Sequence, residues 1–405
     1  MVSRSRHIAL GGRASLTAAA TLLGTLYAGS TILTPLYPLY QRKFGLSELM
    51  ITLVYATYVI GNLAALFVFG RVSDQAGRRS VSLIVIAVSV FSAAVFLFAL
   101  HPAMLFVARA ATGLAIAVGA ATTTAWIAEL HASNDNATAS RLAAAVNLAG
   151  LAVGVLVAGL LAQYAPWPLR TVFVVYLAVL LLMAAATAVA RETVESPARS
   201  ASRLSFEPHI GVPPRLRVAF TTAAVTAFAT FALLGFYAAL LPNVLAQSMQ
   251  LHSPALSGAI VAELFAVSAV TVVATPMLAA RTAMLSGLWL LPPSLGLLLW
   301  AQVASSIAWL IAATALCGIA TALGFRGSLQ EVNRMAPADQ RAELLSAYLL
   351  CCYAGNSLPV IGIALLSRQV GHLWANIAFA SVSVMLAAIA LAIGMRRTDR
   401  AHAKQ

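Results

Sequence analysis

The order of apolar and polar residues along the chain gives the first reading. Nine stretches, at residues 14–41, 49–70, 80–108, 142–169, 171–190, 218–262, 282–325, 344–367 and 369–395, contain no Lys, Arg, Asp or Glu. A membrane-spanning helix needs about 20 mostly apolar residues; a spanning strand needs about 10 and alternates apolar with polar. These stretches are long and do not alternate, so they predict helices. The stretches at 218–262 and 282–325 are each long enough for two helices and a turn. They break at "PNVLAQSMQLHSP", residues 242–254, and near "AQVASS", residues 301–306. Two further spans carry a charge within them: Arg109 inside residues 102–128 and Glu263 inside residues 254–280. The pattern predicts twelve spans in an all-α integral membrane protein.

Composition agrees. Of 405 residues, 61% are apolar and 9% charged, against roughly 25% charged in soluble domains. The longest polar stretch, "RETVESPARSASRLSFEPHIGVPPRLR", residues 191–217, holds Pro, Ser and both signs of charge and reads as a linker. It separates a six-helix bundle at residues 1–190 from a second at 218–405 that ends in a short tail. "ATGLAIAVG" at 111–119 resembles "LCGIATALG" at 316–324, with glycines six apart in the fourth and tenth spans. Two six-span halves related in parallel are a known transporter plan.

Charge sets the orientation. Twenty of the 25 Lys and Arg fall at one end of the predicted spans, four (Arg42, Lys43, Arg170, Arg368) at the other, and Arg109 inside the membrane. Positive loops mark the cytoplasmic side, so both termini are expected in the cytoplasm, with the chain in the cell (inner) membrane. The same rule accounts for the net charge of +13, so no nucleic-acid partner is expected. The basic start "MVSRSRHIALGGR" precedes an apolar stretch longer than a signal core and reads as the lead-in to an uncleaved first helix. Cys317, Cys351 and Cys352 lie in or beside spans and suggest no disulfide, metal or cofactor.

One corner departs from the oily background. "GRVSDQAGRR", residues 70–79, packs four charges and two glycines between two long apolar stretches. It resembles the loop between the second and third helices of the major facilitator superfamily: Gly, three residues, Asp, two residues, Gly, Arg, then Arg or Lys. Gly70, Asp74, Gly77, Arg78 and Arg79 occupy every fixed position. The resemblance implies a conformational latch. Asp74 would sit against the start of the eleventh span near Leu344 to Ser346, where unpaired N–H groups favour an anion. Arg78 would pair with Glu129 at the end of the fourth span. In the family these contacts form in one of two alternating states.

Other candidates lie within the spans. Arg109 and Gly113 resemble the family's fourth-helix pattern, which implies a part in proton coupling; a structural Arg bonded to backbone carbonyls is the other reading. Glu263 lies roughly 13 Å along its helix from Pro254, near mid-membrane. There a carboxyl can take up and release a proton, contact a cationic solute, or simply bond between helices. No family motif supports it. The fifth span carries Gly150, Gly154 and Gly159, resembling the glycine-rich helix of the drug–proton antiporter branch. That motif has Pro after its second glycine, and here Val155 follows Gly154. Tyr27, Thr31, Trp126, Asn147, Tyr237 and Asn356 are possible cavity-lining residues, each also explicable as packing.

Three function classes compete. A secondary active transporter would move a small organic solute by alternating access. The expectation is proton-coupled efflux of a drug or metabolite by a monomer whose partners are solute, protons and lipid; uptake of a small metabolite is the alternative. An intramembrane enzyme would need a catalytic motif, and HExxH, GxSxG, paired intramembrane aspartates and a P-loop are all missing from the sequence. A receptor or sensor, the remote alternative, would need a soluble signalling domain, and the linker is the longest polar stretch.

Overall fold

A computed structural model describes residues 11–69, 75–131, 136–194, 211–337 and 340–402. Among these the regular structure is entirely helical. In chain order the helices are α1 (Gly12–Thr31), α2 (Tyr37–Phe44), α3 (Glu48–Phe69), α4 (Arg78–Leu97), α5 (Pro102–Leu130), α6 (Asn136–Tyr164) and α7 (Pro168–Ala188), then α8 (Arg217–Ala239), α9 (Leu241–Ser248), α10 (Pro254–Ala274), α11 (Ala280–Val303), α12 (Ile307–Met335), α13 (Arg341–Val370) and α14 (His372–His402). Twelve are long and apolar enough to cross a membrane; α1 and α2 count as one span, and α9 is a short appendage to α8.

Local chemistry explains the helix ends. Pro102, Pro168 and Pro254 open α5, α7 and α10, where a missing N–H costs nothing. Ser253 caps α10 by accepting from the Leu256 N–H at 3.1 Å. The turns at the end opposite the termini are tight. Gly45, Trp167, Gln250, Ser305 and Gly371 all take positive φ there, a conformation that three non-glycine residues adopt only because so few residues link the spans.

The helices are built for lipid. Large apolar side chains such as Ile60, Phe98, Leu182 and Val270 face outward. Buried hydroxyls turn back on their own helix: Thr25 donates to Thr21 O, Ser89 to Val85 O and Thr226 to Thr222 O. That satisfies a polar group where no water is available. Small residues bring backbones together. A side chain at Gly150 would collide with Gly24 of α1, and one at Gly355 of α13 with Phe228 of α8. The first and fifth spans therefore touch closely, and so do the seventh and eleventh, six spans later.

The chain forms two compact units. One comprises Met1–Thr31, Thr57–Gly154 and Pro166–Pro208; the other comprises Ile32–Ala56, Val155–Ala165 and His209–Gln405. The second unit thus includes the ends of the first, second and fifth spans that lie opposite the termini. Within it, Gly159 of α6 packs directly on Gly258 of α10.

Candidate functional site

The corner before α4 is an ionic assembly. Gly77, with φ 95° and ψ 143°, is the N-cap of α4, a backbone state open to glycine. A side chain there would meet the Glu192 carboxylate at 2.7 Å. Glu192 instead accepts from the backbone N–H groups of Arg78 at 2.9 Å and Arg79 at 3.0 Å, capping the positive end of α4 with an anion. The Arg78 side chain, only 8% exposed, reaches Glu129: Nη2 lies 2.7 Å from Oε1, and Nε lies 3.2 and 3.3 Å from the two carboxylate oxygens. Thr193 also donates to Glu129.

The start of the linker completes this assembly. Trp126 Nε1 donates to Arg191 O at 3.0 Å, and the Arg191 N–H donates to Ser15 Oγ at 3.0 Å. Trp126 is fully buried in a cluster with Ala19, Leu23, Ile127 and Ala143, so it anchors the linker start. Sequence reasoning missed Glu192, Thr193 and Ser15. The only signal was an acid directly after the last apolar stretch of the first half. Gly70 and Asp74 lie outside the described residues. Leu344 is fully buried in the first turn of α13.

A second group surrounds Arg109, itself 2% exposed. Its Nη1 donates to Ser30 O at 2.8 Å, and its guanidinium lies 4.8 Å from the Tyr58 ring centre. Gly113 allows this approach, since a side chain there would strike Tyr58 O. Tyr27 lies against Asn147 and close to Tyr58, so Tyr27, Asn147 and Arg109 come together. Thr31 is a turn away and donates to Leu151 O at 2.9 Å.

The third group belongs to the second unit. Glu263 is the tenth residue of α10 and half-buried. Its carboxylate makes no hydrogen bond or ion pair among the described residues, and it lies close enough to Tyr237 to interact with it electrostatically. Tyr237 is fully buried, and its hydroxyl meets Thr314 Oγ1 at 3.0 Å. Asn356 accepts from the Tyr55 hydroxyl at 2.9 Å. Among the described residues no group of His, Cys, Asp and Glu is arranged to hold a metal ion.

The family model of the Major Facilitator Superfamily matches residues 19–358. The chain belongs to the major facilitator superfamily. Two solved structures share its fold along nearly its whole length. A bacterial homolog of the human lysosomal transporter Spinster, in an inward-facing and unoccupied conformation, is 16% identical with a TM-score of 0.71, covering 95% of this chain and 96% of its own. A POT family transporter in complex with 5-aminolevulinic acid is 12% identical with a TM-score of 0.75, covering 94% and 96%. A search of curated proteins gave no significant match. Membership makes this superfamily protein a transporter and not an enzyme.

Proposed function

We propose that this transporter is a secondary active, proton-coupled exporter of a small organic solute, working by alternating access between two six-span halves at residues 1–190 and 218–405. The reading places both termini in the cytoplasm and the corner at residues 70–79 as a cytoplasmic latch. The observation that carries proton coupling is Glu263: a half-buried carboxyl in the middle of α10, without an ion-pair partner among the described residues, beside a buried tyrosine. Ionisable groups inside a membrane are costly and mark ion or substrate pathways. The scarcity of charge within the spans suits a lipophilic or weakly charged solute. Arg109 donates to Ser30 O and lies over the Tyr58 ring, which suits a positioning role for Tyr27 and Asn147 more than direct proton transfer. Uptake is the second reading, favoured by Val155 where the drug antiporter motif has proline.

The test is Glu263→Gln in proteoliposomes with an imposed pH gradient. Gradient-driven flux is expected to fall at least tenfold, while the protein still inserts and still exchanges solute without a gradient. Flux with an unchanged pH dependence would remove Glu263 from the mechanism.

A further inference from the structure

A second acid–base group stands at the end opposite the termini, built entirely within the second unit. Glu48 opens α3, with its side chain 17% exposed, and its Oε2 lies 3.6 Å from Nδ1 of His372, the first residue of α14. Ser367, near the end of α13, donates to the same carboxylate oxygen at 3.4 Å. The side chain of Asn243 on α9 is also within its reach. About two turns further along α3, the Tyr55 hydroxyl donates to Asn356 of α13 at 2.9 Å, fully buried. The start of the second span is thus fastened to the last six spans by two rungs, one ionic and one neutral.

We infer that Glu48 and His372 form a proton-operated clasp on the outer ends of the spans. The ion pair exists only while Glu48 is ionised and His372 is protonated. Acid that neutralises Glu48 removes it. The neutral Tyr55–Asn356 rung does not respond to acid. Other titratable or charged side chains near this end of the surrounding elements are Tyr37, Tyr40, Arg42 and Lys43 on α2, His252 after α9, and Arg368 on α13. Tyr37 and Tyr40 are buried, and Tyr37 lies edge-on to Tyr55; Arg42 donates to Pro38 O, and Lys43 lies over the Phe44 ring. His252 shares a pocket with Arg42, and Arg368 is exposed. The ion-pair partner of Glu48 is His372. The inference rests on the proposed orientation for its direction: external acid would load Glu48 and free the outer ends to part.

The experiment reads conformation and needs no solute or gradient. The full-length protein in nanodiscs carries donor and acceptor dyes on noncanonical residues at Met50 and Gln369, both exposed at this end. The closed-to-open ratio is followed from about pH 4 to about pH 8, a range that begins where ordinary carboxyls change charge. It is expected to fall about fivefold as acid neutralises Glu48, the size of a partly exposed ion pair. Glu48→Gln should lower the ratio throughout and remove that fall, and His372→Gln should do the same, because either change abolishes the pair. A wild-type ratio that ignores acid, or a Glu48→Gln variant that keeps the fall, would overturn the clasp. Glu263→Gln should keep the fall. Loss of coupled flux in that variant therefore bears on the proposed function alone, and loss of the fall with coupled flux intact bears on the clasp alone.

Discussion

The corner between α3 and α4 and the corner between α10 and α11 hold the same place six spans apart, yet they are fastened in opposite ways. The first uses carboxylates: Glu129 on the Arg78 side chain and Glu192 on the first N–H groups of α4. The second uses neutral oxygens. Arg326 of α12 donates to Thr275 O, to Thr275 Oγ1 at 2.7 Å and to Leu278 O at 2.6 Å, and Arg281 donates to Gly394 O. Residues 275–283, "TPMLAARTA", contain no acid. A guanidinium on carbonyls at the C-terminal end of a helix is held by fixed dipoles. A guanidinium on a carboxylate can be undone by a proton, by salt or by a competing charge. Under the proposed latch, the first corner is the switchable fastening and the second the permanent one.

The sharpest way to break this contrast is Arg78→Ala. Removing one partner of a buried pair leaves a charge without compensation and costs about 3–5 kcal/mol. Glu129 is 36% exposed, so water recovers part of that, and about 2 kcal/mol is expected. A clear fall in the melting temperature of the purified protein should accompany crippled transport by a correctly inserted chain. Normal transport would show that the first corner is no more a switch than the second.

Glu192→Gln is the next step down. The substitution keeps the shape and an acceptor for the Arg78 and Arg79 N–H groups but removes the anion from the start of α4. The expected loss is about 1 kcal/mol, read as a smaller fall in melting temperature that shrinks as salt is added. An effect as large as that of Arg78→Ala would mean that Glu192, rather than Glu129, is the main anion of the corner.

How much of this is legible in the sequence follows from where each signal lies in the chain. The twelve spans were legible because lipid imposes one demand on every residue of a span, so uncharged stretches declare themselves. The two breaks in the longest stretches were readable for the same reason: the α8–α10 break holds Pro242 and Pro254, and the α11–α12 break holds Ser305 and Ser306. The contact of Arg78 with Glu129 was legible through fixed spacing in one loop and an acid at a helix end. Glu192 was not. It lies more than a hundred residues from Gly77, inside a linker whose mixed charge looks like solvated chain, and nothing local distinguishes it from the other acids there. The same holds for Glu48 and His372, which come from distant parts of the sequence and meet only because α3, α13 and α14 end at one level. Trp126 shows the reverse case. Its bulk suggested a cavity wall, but a neighbouring backbone carbonyl and a ring of alanines decided its position.

The smallest expected effect tests the other side of the contrast. Arg326→Lys keeps the positive charge at the end of α10 and loses the planar fork that reaches three oxygens at once. An ammonium is a point donor and holds only part of that set, so about 0.5–1 kcal/mol of hydrogen bonding is lost. Because the acceptors are neutral, the difference between variant and parent should not change with ionic strength, whereas the Arg78→Ala difference should shrink as salt screens the pair it removed. Transport should continue at close to the parent rate, because nothing at this corner has to break for the spans to move. A loss of transport in Arg326→Lys comparable to that in Arg78→Ala would mean that both corners open during the cycle. Switching would then require only that a guanidinium lose its oxygens, whether or not those oxygens are charged.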